Sequence, residues 1–187
     1  MEKAKRQLDN KLWKDFQNLQ SSPHIFDSFI SYFNGLASWV NKHLDVLGDA
    51  LVTKNRLDSI LNIDAEKYVA RNPELLLDKE PIRMFGRKPP TLDSFARSIS
   101  STLWDLVKLR SGKDCPKCVD DELNYVIAEI LVTKEKRIIL ECDTCGWTEN
   151  LDQTICTDEQ AVMHPANECD LKAFGLNHLK VDSECKV

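Results

Sequence analysis

The apolar residues of the first 110 positions recur with the period of an α-helix. In the opening stretch, residues 2–20, they are spaced four, four and three positions apart and therefore share one helical face. The same spacing predicts further helices at residues 24–47, 49–61 and 91–106, with a short helical segment around Tyr68. The pattern predicts an N-terminal domain of four to five helices.

Polar residues and helix breakers mark where these helices begin and end. Ser22 followed by Pro23 predicts the start of the second helix, because Ser is a favoured N-cap and Pro is tolerated at the first helical position. Thr91 predicts the N-cap of the last helix, and Gly112 predicts its end. Residues 78–90 have three prolines and no apolar period, so we expect a loop there.

The pattern changes after residue 120. Residues 123–132 are rich in β-branched side chains, residues 134–136 are charged, and residues 137–141 are again largely apolar. Two such runs around a polar tip predict a β-hairpin, and residues 147–151 predict a third strand. Residues 152–187 have no clear period, so we expect an irregular or partly helical tail.

These patterns predict an α+β protein with a helical domain at residues 1–110 and a second domain at residues 111–187. The chain has 187 residues, of which 42% are hydrophobic and 29% charged, the composition of an ordinary soluble globular protein. No run of about 18 apolar residues is present, so we expect no membrane span. The charged start is unlike a secretory signal, and the seven cysteines are an odd number, so we expect a reducing, cytoplasmic location.

Four of the seven cysteines form two Cys-x-x-Cys pairs, Cys115 with Cys118 and Cys142 with Cys145. Twenty-three residues separate the pairs, enough for the predicted hairpin to bring them together. Two such pairs predict a tetrahedral Zn²⁺ site with four thiolate ligands and no open coordination position. A redox-active thiol pair needs only one such motif, at the start of a helix after a strand, and the sequence between the pairs predicts a hairpin instead.

Residues 111–151 resemble zinc ribbons, in which two such cysteine turns cap a small antiparallel sheet. The resemblance implies a structural zinc ion held by the four cysteines. Gly146 follows the second pair and suits a turn with positive φ, whereas Val119 follows the first pair, where a small residue or Gly is frequent in the family. Iron would fit the same four sulfurs, as in the rubredoxin-like relatives of this arrangement, and zinc is the default for a thiolate site without other redox features.

The remaining cysteines and histidines of the C-terminal part do not predict a second metal site. Seven, four, eight and six residues separate successive members of this set, and none of these gaps matches a close ligand pair. A cysteine–histidine hydrolase could be imagined among the same residues, but no nucleophile motif accompanies them. The members of the set are Cys156, His164, Cys169, His178 and Cys185.

Charge is unevenly distributed along the chain. Residues 1–110 hold 17 Lys and Arg against 14 Asp and Glu, a net charge of +3, and residues 111–187 hold 8 against 16, a net charge of −8. Nucleic acids are bound chiefly through neutralisation of their phosphates by Lys and Arg, so an acidic ribbon is poorly suited to bind them. The charge therefore favours a basic protein as the partner of the second domain.

We therefore expect a zinc-containing binding protein and not an enzyme, because a four-thiolate zinc has no free position for a reacting water. The main hypothesis is an acidic adaptor or inhibitor of a basic protein, for example a bacterial immunity protein that neutralises a basic nuclease toxin. The alternative is a protein that binds nucleic acid or the transcription machinery through its zinc ribbon. The carboxylates predicted to face the partner are Asp120, Asp121, Glu122, Glu149 and Asp152.

Overall fold

The chain folds into a helical unit and a unit built on a sheet. The compact units are Met1–Glu66 with Ala70–Leu106, and Lys67–Val69 with Val107–Val187. The helices of the first unit and the antiparallel sheet of the second confirm the predicted α+β class. No helix among the described residues is long and apolar enough to cross a membrane. The computed structural model describes residues 6–22, 24–25, 28–68, 88–154, 156 and 160–176.

In its described part, the first unit is built from long and short α-helices. The last and longest of them, α6, is separated from the others in sequence by a stretch outside the described residues. A 3₁₀ turn covers Ala65–Lys67. The helices are α1 Asn10–Gln20, α2 Phe29–Lys42, α3 Leu44–Leu47, α4 Asp49–Lys54, α5 Leu57–Ile60 and α6 Leu92–Val107.

Helix α1 begins later than the sequence predicts. The carboxylate of Asp9 accepts a hydrogen bond from the backbone N–H of Lys11 at 2.8 Å and so caps the helix at Asn10. Just before it, Gln7 forms an antiparallel β-bridge with Thr91. The prediction of helix from residue 2 is therefore wrong at Arg6 to Asp9, because this backbone pairs with the segment before α6.

Helix α2 begins at Phe29, because the Ser28 hydroxyl accepts a hydrogen bond from the Ser31 N–H at 3.0 Å. The predicted start at Ser22 is therefore wrong, and Pro23 lies outside the described residues. The stretch predicted as one helix at residues 24–47 is divided at His43 into α2 and α3. The next predicted helix is divided into α4 and α5 near Arg56, whose φ of 57° interrupts the helical backbone.

The core of the helical unit is aromatic. The ring of Phe16 in α1 lies edge-to-face against Trp39 of α2 at 5.0 Å and against Phe95 of α6 at 4.9 Å between centroids. Gly35 in α2 faces Ile25, and a Cβ at this glycine would lie 3.0 Å from the Ile25 Cδ1 atom. The apolar stripes predicted from the sequence therefore meet in one core, with a close approach at Gly35.

The start of α6 is predicted correctly and its end is not. The Thr91 hydroxyl accepts a hydrogen bond from the Ser94 N–H at 3.2 Å, which confirms the predicted N-cap. The helix ends at Val107, and the chain continues as strand β1, Leu109–Asp114. Gly112, the predicted helix end, lies inside this strand with a φ of +76°, where the pairing of β1 with its neighbour is irregular.

The second unit is an antiparallel sheet around a long central strand, β2. One edge of β2 pairs with β3, and β4 extends the sheet beyond β3. The other edge of β2 pairs with β1 along its first half and with β5 along its second half. The predicted hairpin and third strand are confirmed, whereas β1 and β5 are not predicted. The remaining strand bounds are β2 Glu122–Ile130, β3 Lys136–Glu141, β4 Thr148–Asn150 and β5 Ala161–Pro165.

The core of the second unit forms where the sheet meets the tail. A short helix, α7 (Glu168–Ala173), begins with a capping box in which Asn167 and Asp170 exchange hydrogen bonds. The helix ends before Gly175, whose φ is +81°. Two of the paired cysteines are part of this core. Its members are Leu109, Cys115, Leu123, Tyr125, Ile127, Ile138, Leu140, Cys142, Ala166 and Leu171.

Candidate metal centre

Two short turns carry the four paired cysteines. The first knuckle, residues 115–121, joins β1 to β2, and the second knuckle, residues 142–147, joins β3 to β4. In each knuckle, the carbonyl of the first cysteine accepts a hydrogen bond from the N–H four residues later, which belongs to Val119 at 3.0 Å and to Gly146 at 2.9 Å. Strands β2 and β3 are antiparallel neighbours, so the start of β2 lies beside the end of β3. The two knuckles, which are attached to these strand ends, therefore lie at the same end of the sheet.

The four sulfur atoms converge on one point. All four Sγ atoms lie within 4.8 Å of one another, and the Cys115–Cys145 and Cys118–Cys142 pairs are 3.5 and 3.7 Å apart. A tetrahedron with Zn–S bonds of 2.3 Å has edges of about 3.8 Å. A disulfide would require sulfurs about 2.05 Å apart, and the thiols are free. The spacing therefore fits four ligands around a single ion.

Backbone N–H groups of both knuckles donate hydrogen bonds to the sulfurs. The N–H groups two and three positions after the first cysteine of each pair donate to its Sγ atom. The N–H group two positions after the second cysteine donates to that sulfur in turn. Such bonds favour the thiolate, the form in which cysteine binds metals. The two knuckles therefore have the same hydrogen-bonding pattern around their ligands.

The thiols differ in acidity because burial opposes these hydrogen bonds. Burial raises the pKa of Cys115, but the backbone N–H donors and neighbouring thiols outweigh it and lower that pKa to about 7. Burial prevails at Cys142 and Cys145 and raises the pKa of both thiols. At Cys118 the Asp120 N–H lowers the pKa, but burial and the thiols of Cys115 and Cys145 outweigh it, and the net pKa is raised. Four thiolates together therefore need a cation beside them.

The ligands connect the hydrophobic core to the surface. Cys115 and Cys142 are 1% and 0% exposed, whereas Cys118 and Cys145 are half-buried. Trp147 packs against the same core, and its indole N–H donates to the Glu149 carboxylate at 3.0 Å. An ion held here would fasten both knuckles to the core, which is the arrangement of a structural site.

Two of the acidic residues predicted to face a partner form hydrogen bonds within the knuckle region. Asp121 accepts hydrogen bonds from the Thr144 hydroxyl at 3.0 Å and from the Glu122 N–H at 2.9 Å. The Glu122 carboxylate accepts the Gly112 N–H and lies 3.6 Å from the Arg110 guanidinium. Both side chains are half-buried, and they hold β1, β2 and the knuckles in place.

Glu149 is not part of an exposed acidic surface. Its side chain is 3% exposed and forms an ion pair with Lys113, so the predicted partner-binding role is corrected to a structural one. Burial raises the pKa of Glu149, but the hydrogen bonds from Lys113 and Trp147 lower it by more, and the net pKa is below its usual value. Asp120 and Asp152 are exposed, and Asp152 accepts hydrogen bonds from Thr154 in the turn after β4.

Asp143 is a supporting residue that sequence reasoning missed. Its carboxylate accepts hydrogen bonds from the Lys108 ammonium at 2.9 Å and from the Asn124 amide at 3.1 Å. These contacts tie the second knuckle to β2 and to the residue before β1. Lys108 is 35 positions away in the chain, so no local pattern could have indicated the contact.

The remaining cysteines and histidines are not brought together. The Cys156 thiol lies 3.5 Å from the Asn150 amide oxygen, Cys169 is exposed, and His164 lies 4.0 Å from Glu129. Within the described residues, no second group of three metal-ligating side chains forms. His178 and Cys185 lie outside the described residues, so their part of the prediction stays a prediction.

The observed site therefore fits a metal ion that prefers four sulfur ligands. The donor set is four thiols, the sulfur spacing suits Zn–S bonds, and the N–H donors stabilise the thiolate form. Iron(II) or iron(III) would accept the same donors. No protein-family model matches this chain, and no curated protein or solved structure is significantly similar to it.

Proposed function

We propose that Cys115, Cys118, Cys142 and Cys145 hold one structural Zn²⁺ ion in a zinc-ribbon unit, and that the protein is a non-enzymatic binding protein. The proposed zinc site is supported by four free thiols whose sulfurs lie within 4.8 Å of one another, beside the core of the sheet. The ion would supply the positive charge that four neighbouring thiolates need. Four sulfur ligands fill the coordination of tetrahedral zinc, so no position remains for a reacting water.

The charge of the second unit supports the binding role. Residues 111–187 have a net charge of −8, and four thiolates around one Zn²⁺ would make it more negative. Within residues 111–187, the carboxylates of Asp120 and Asp152 are exposed to solvent. An acidic surface on a rigid frame attracts a basic protein and accelerates association. We therefore propose an adaptor or inhibitor of a basic protein, of which a toxin-neutralising immunity protein is one form.

Metal analysis with matched cysteine variants tests the zinc site. Purified wild-type chain should contain one zinc per chain, and Cys142→Ser should lose it, because three thiolates remain. The exposed Cys169 is outside the cluster, so Cys169→Ser should keep the full zinc content and controls for the loss of a thiol. Elemental analysis identifies the metal, and visible charge-transfer absorption of the air-oxidised protein would indicate iron(III) in place of zinc. Wild-type protein that binds neither metal would exclude the site.

Salt dependence distinguishes a protein partner from nucleic acid. A protein that co-purifies from the native cell should bind the wild-type chain more tightly than the Asp120→Lys/Asp152→Lys double variant, and its affinity should fall with salt. In parallel, gel shifts with mixed DNA and RNA should show no tight binding. A tight shift with a steep salt slope would overturn the proposed partner and favour the nucleic-acid alternative.

A further inference from the structure

One pair of side chains bonds directly between the two knuckles without involving a sulfur. The Thr144 hydroxyl, in the second knuckle, donates to the Asp121 carboxylate at the end of the first knuckle, at 3.0 Å. The backbones of the same two residues contact the ligand cysteines. The Thr144 N–H donates to the Cys142 sulfur, and the Asp121 carbonyl accepts the Cys115 N–H at 2.8 Å.

The Asp121 carboxylate is held in position for this contact. Its other oxygen accepts the Glu122 N–H at 2.9 Å, at the first residue of β2. Asp120, the preceding residue, offers an internal comparison because it carries the same charge one position closer to Cys118. Asp120 is exposed, and in the described part of the chain its carboxylate accepts no hydrogen bond.

We infer that Thr144 and Asp121 form a positioning pair that keeps the knuckles together and slows release of the metal. The inference rests on the proposed zinc site. Each knuckle supplies two sulfurs, so separation of the knuckles removes half of the ligand set from the ion and favours its release. A hydrogen bond between the halves opposes that separation without contacting the ion. Replacing side chains that hold metal ligands in position typically lowers metal affinity by about 10–100-fold.

The test measures the rate at which zinc passes from the protein to an excess of a chromogenic chelator. Thr144→Val removes the hydroxyl at nearly constant shape, and Asp121→Ala removes the acceptor. Each variant should release zinc about tenfold faster than the wild type. The double variant should release it no faster than Asp121→Ala alone, because the Thr144 hydroxyl has lost its acceptor once Asp121 is truncated.

Two matched variants distinguish the effect of the hydrogen bond on zinc release from the effects of charge and of side-chain packing. Thr144→Ser keeps a hydroxyl and should release zinc at the wild-type rate. Asp120→Ala makes the same truncation and charge change as Asp121→Ala and should also behave as the wild type. Far-UV circular dichroism and the absorption of the Co²⁺-loaded variants check that each one folds around a four-sulfur site.

Several results would overturn the inference. One is a wild-type rate of zinc release from Thr144→Val. Another is an equal increase in release rate from Asp120→Ala and Asp121→Ala, which would show that the lost charge, and not the hydrogen bond, is responsible. A double variant with the product of the single effects would mean that the two residues act independently. Wild-type protein that binds no zinc would instead refute the proposed site itself, and the inference would fall with it. If Thr144→Val does not fold, Thr144→Ala, which also lacks the hydroxyl, is compared with Thr144→Ser in its place.

Discussion

Val119 and Gly146 occupy the same position in the two knuckles, and both have a left-handed backbone. Their φ angles are 61° and 68°, and each N–H donates to the carbonyl of the first cysteine of its pair. Gly adopts this conformation freely, whereas a β-branched residue is strained by about 1–2 kcal/mol. Val119 is 72% exposed, so packing does not compensate for the strain. The turn is therefore imposed by the knuckle and not by the residue.

We predict that Val119→Gly stabilises the second unit by about 1 kcal/mol, since relief of the strain exceeds the added flexibility of Gly in the unfolded chain. The converse change, Gly146→Val, should destabilise it by a similar amount, although a Cβ there meets no atom within 4 Å. Urea unfolding at a fixed free zinc concentration measures both. Destabilisation by Val119→Gly would show that the valine side chain contributes more than the structure indicates.

Lys113 and Glu149 show how an ion pair inside the fold differs from surface charge. The Glu149 carboxylate is buried and accepts hydrogen bonds from Lys113 and Trp147. Lys113→Met should therefore destabilise the second unit by about 1–2 kcal/mol, because the buried Glu149 carboxylate loses its paired cation. The loss is no larger because the Lys113 ammonium is partly exposed and already screened by water. Lys134→Met is the control, since Lys134 is 67% exposed and lies 3.7 Å from Glu129. Equal effects of the two changes would contradict this prediction.

Among the elements, α4 and α6 are joined by Asp93 in the first turn of α6. A hydrogen bond from Lys54, together with the charges of Lys54 and Arg97, holds the pKa of Asp93 below its usual value of 3.8 despite partial burial. Because the pKa is lowered in the folded state, the stabilisation is complete above about pH 3.8. It is lost as the pH falls through the folded pKa, which lies below that value.

We predict that Asp93→Asn lowers the melting temperature of the helical unit at pH 7, and that this difference shrinks when the pH falls below 3.8. Thermal unfolding followed by far-UV circular dichroism measures the difference between variant and wild type at each pH. Asp49→Asn serves as the control, since Asp49 lies in the first turn of α4 and is exposed. If the difference in melting temperature between Asp93→Asn and the wild type stays constant with pH, the pH-dependent stability does not come from the Asp93 carboxylate.

At the scale of the whole molecule, the proposed metal links the stability of one unit to zinc concentration. A ligand that binds only the folded state stabilises it by about 1.4 kcal/mol for each tenfold increase in free ligand once the site is saturated. We predict that the unfolding transition of the sheet unit shifts with free zinc while the helical transition does not. Calorimetry across zinc concentrations buffered by a chelator measures both transitions. A zinc-independent sheet transition would contradict a structural metal.

Much of this architecture follows from local sequence. Apolar residues at helical spacing predicted the helical regions of the first unit, and Thr91 predicted the start of α6. The same spacing did not predict the starts of α1 and α2 or the breaks at His43 and Arg56. The hairpin of β2 and β3 followed from β-branched runs around a polar tip. The ligand set followed from two Cys-x-x-Cys pairs, because the spacing within each pair is itself local and only the hairpin was needed to bring the pairs together.

Only the tertiary structure decided which other residues support this frame. Strand β1 contains one apolar residue, Leu109, and is a strand because β2 offers its free edge. Charge alone could not show that Glu149 is buried beside Lys113 or that Asp121 bonds to Thr144, since these partners are 36 and 23 positions apart. Periodicity and ligand spacing are properties of neighbouring residues and can be read along the chain, whereas burial and long-range pairing depend on which surfaces meet after folding.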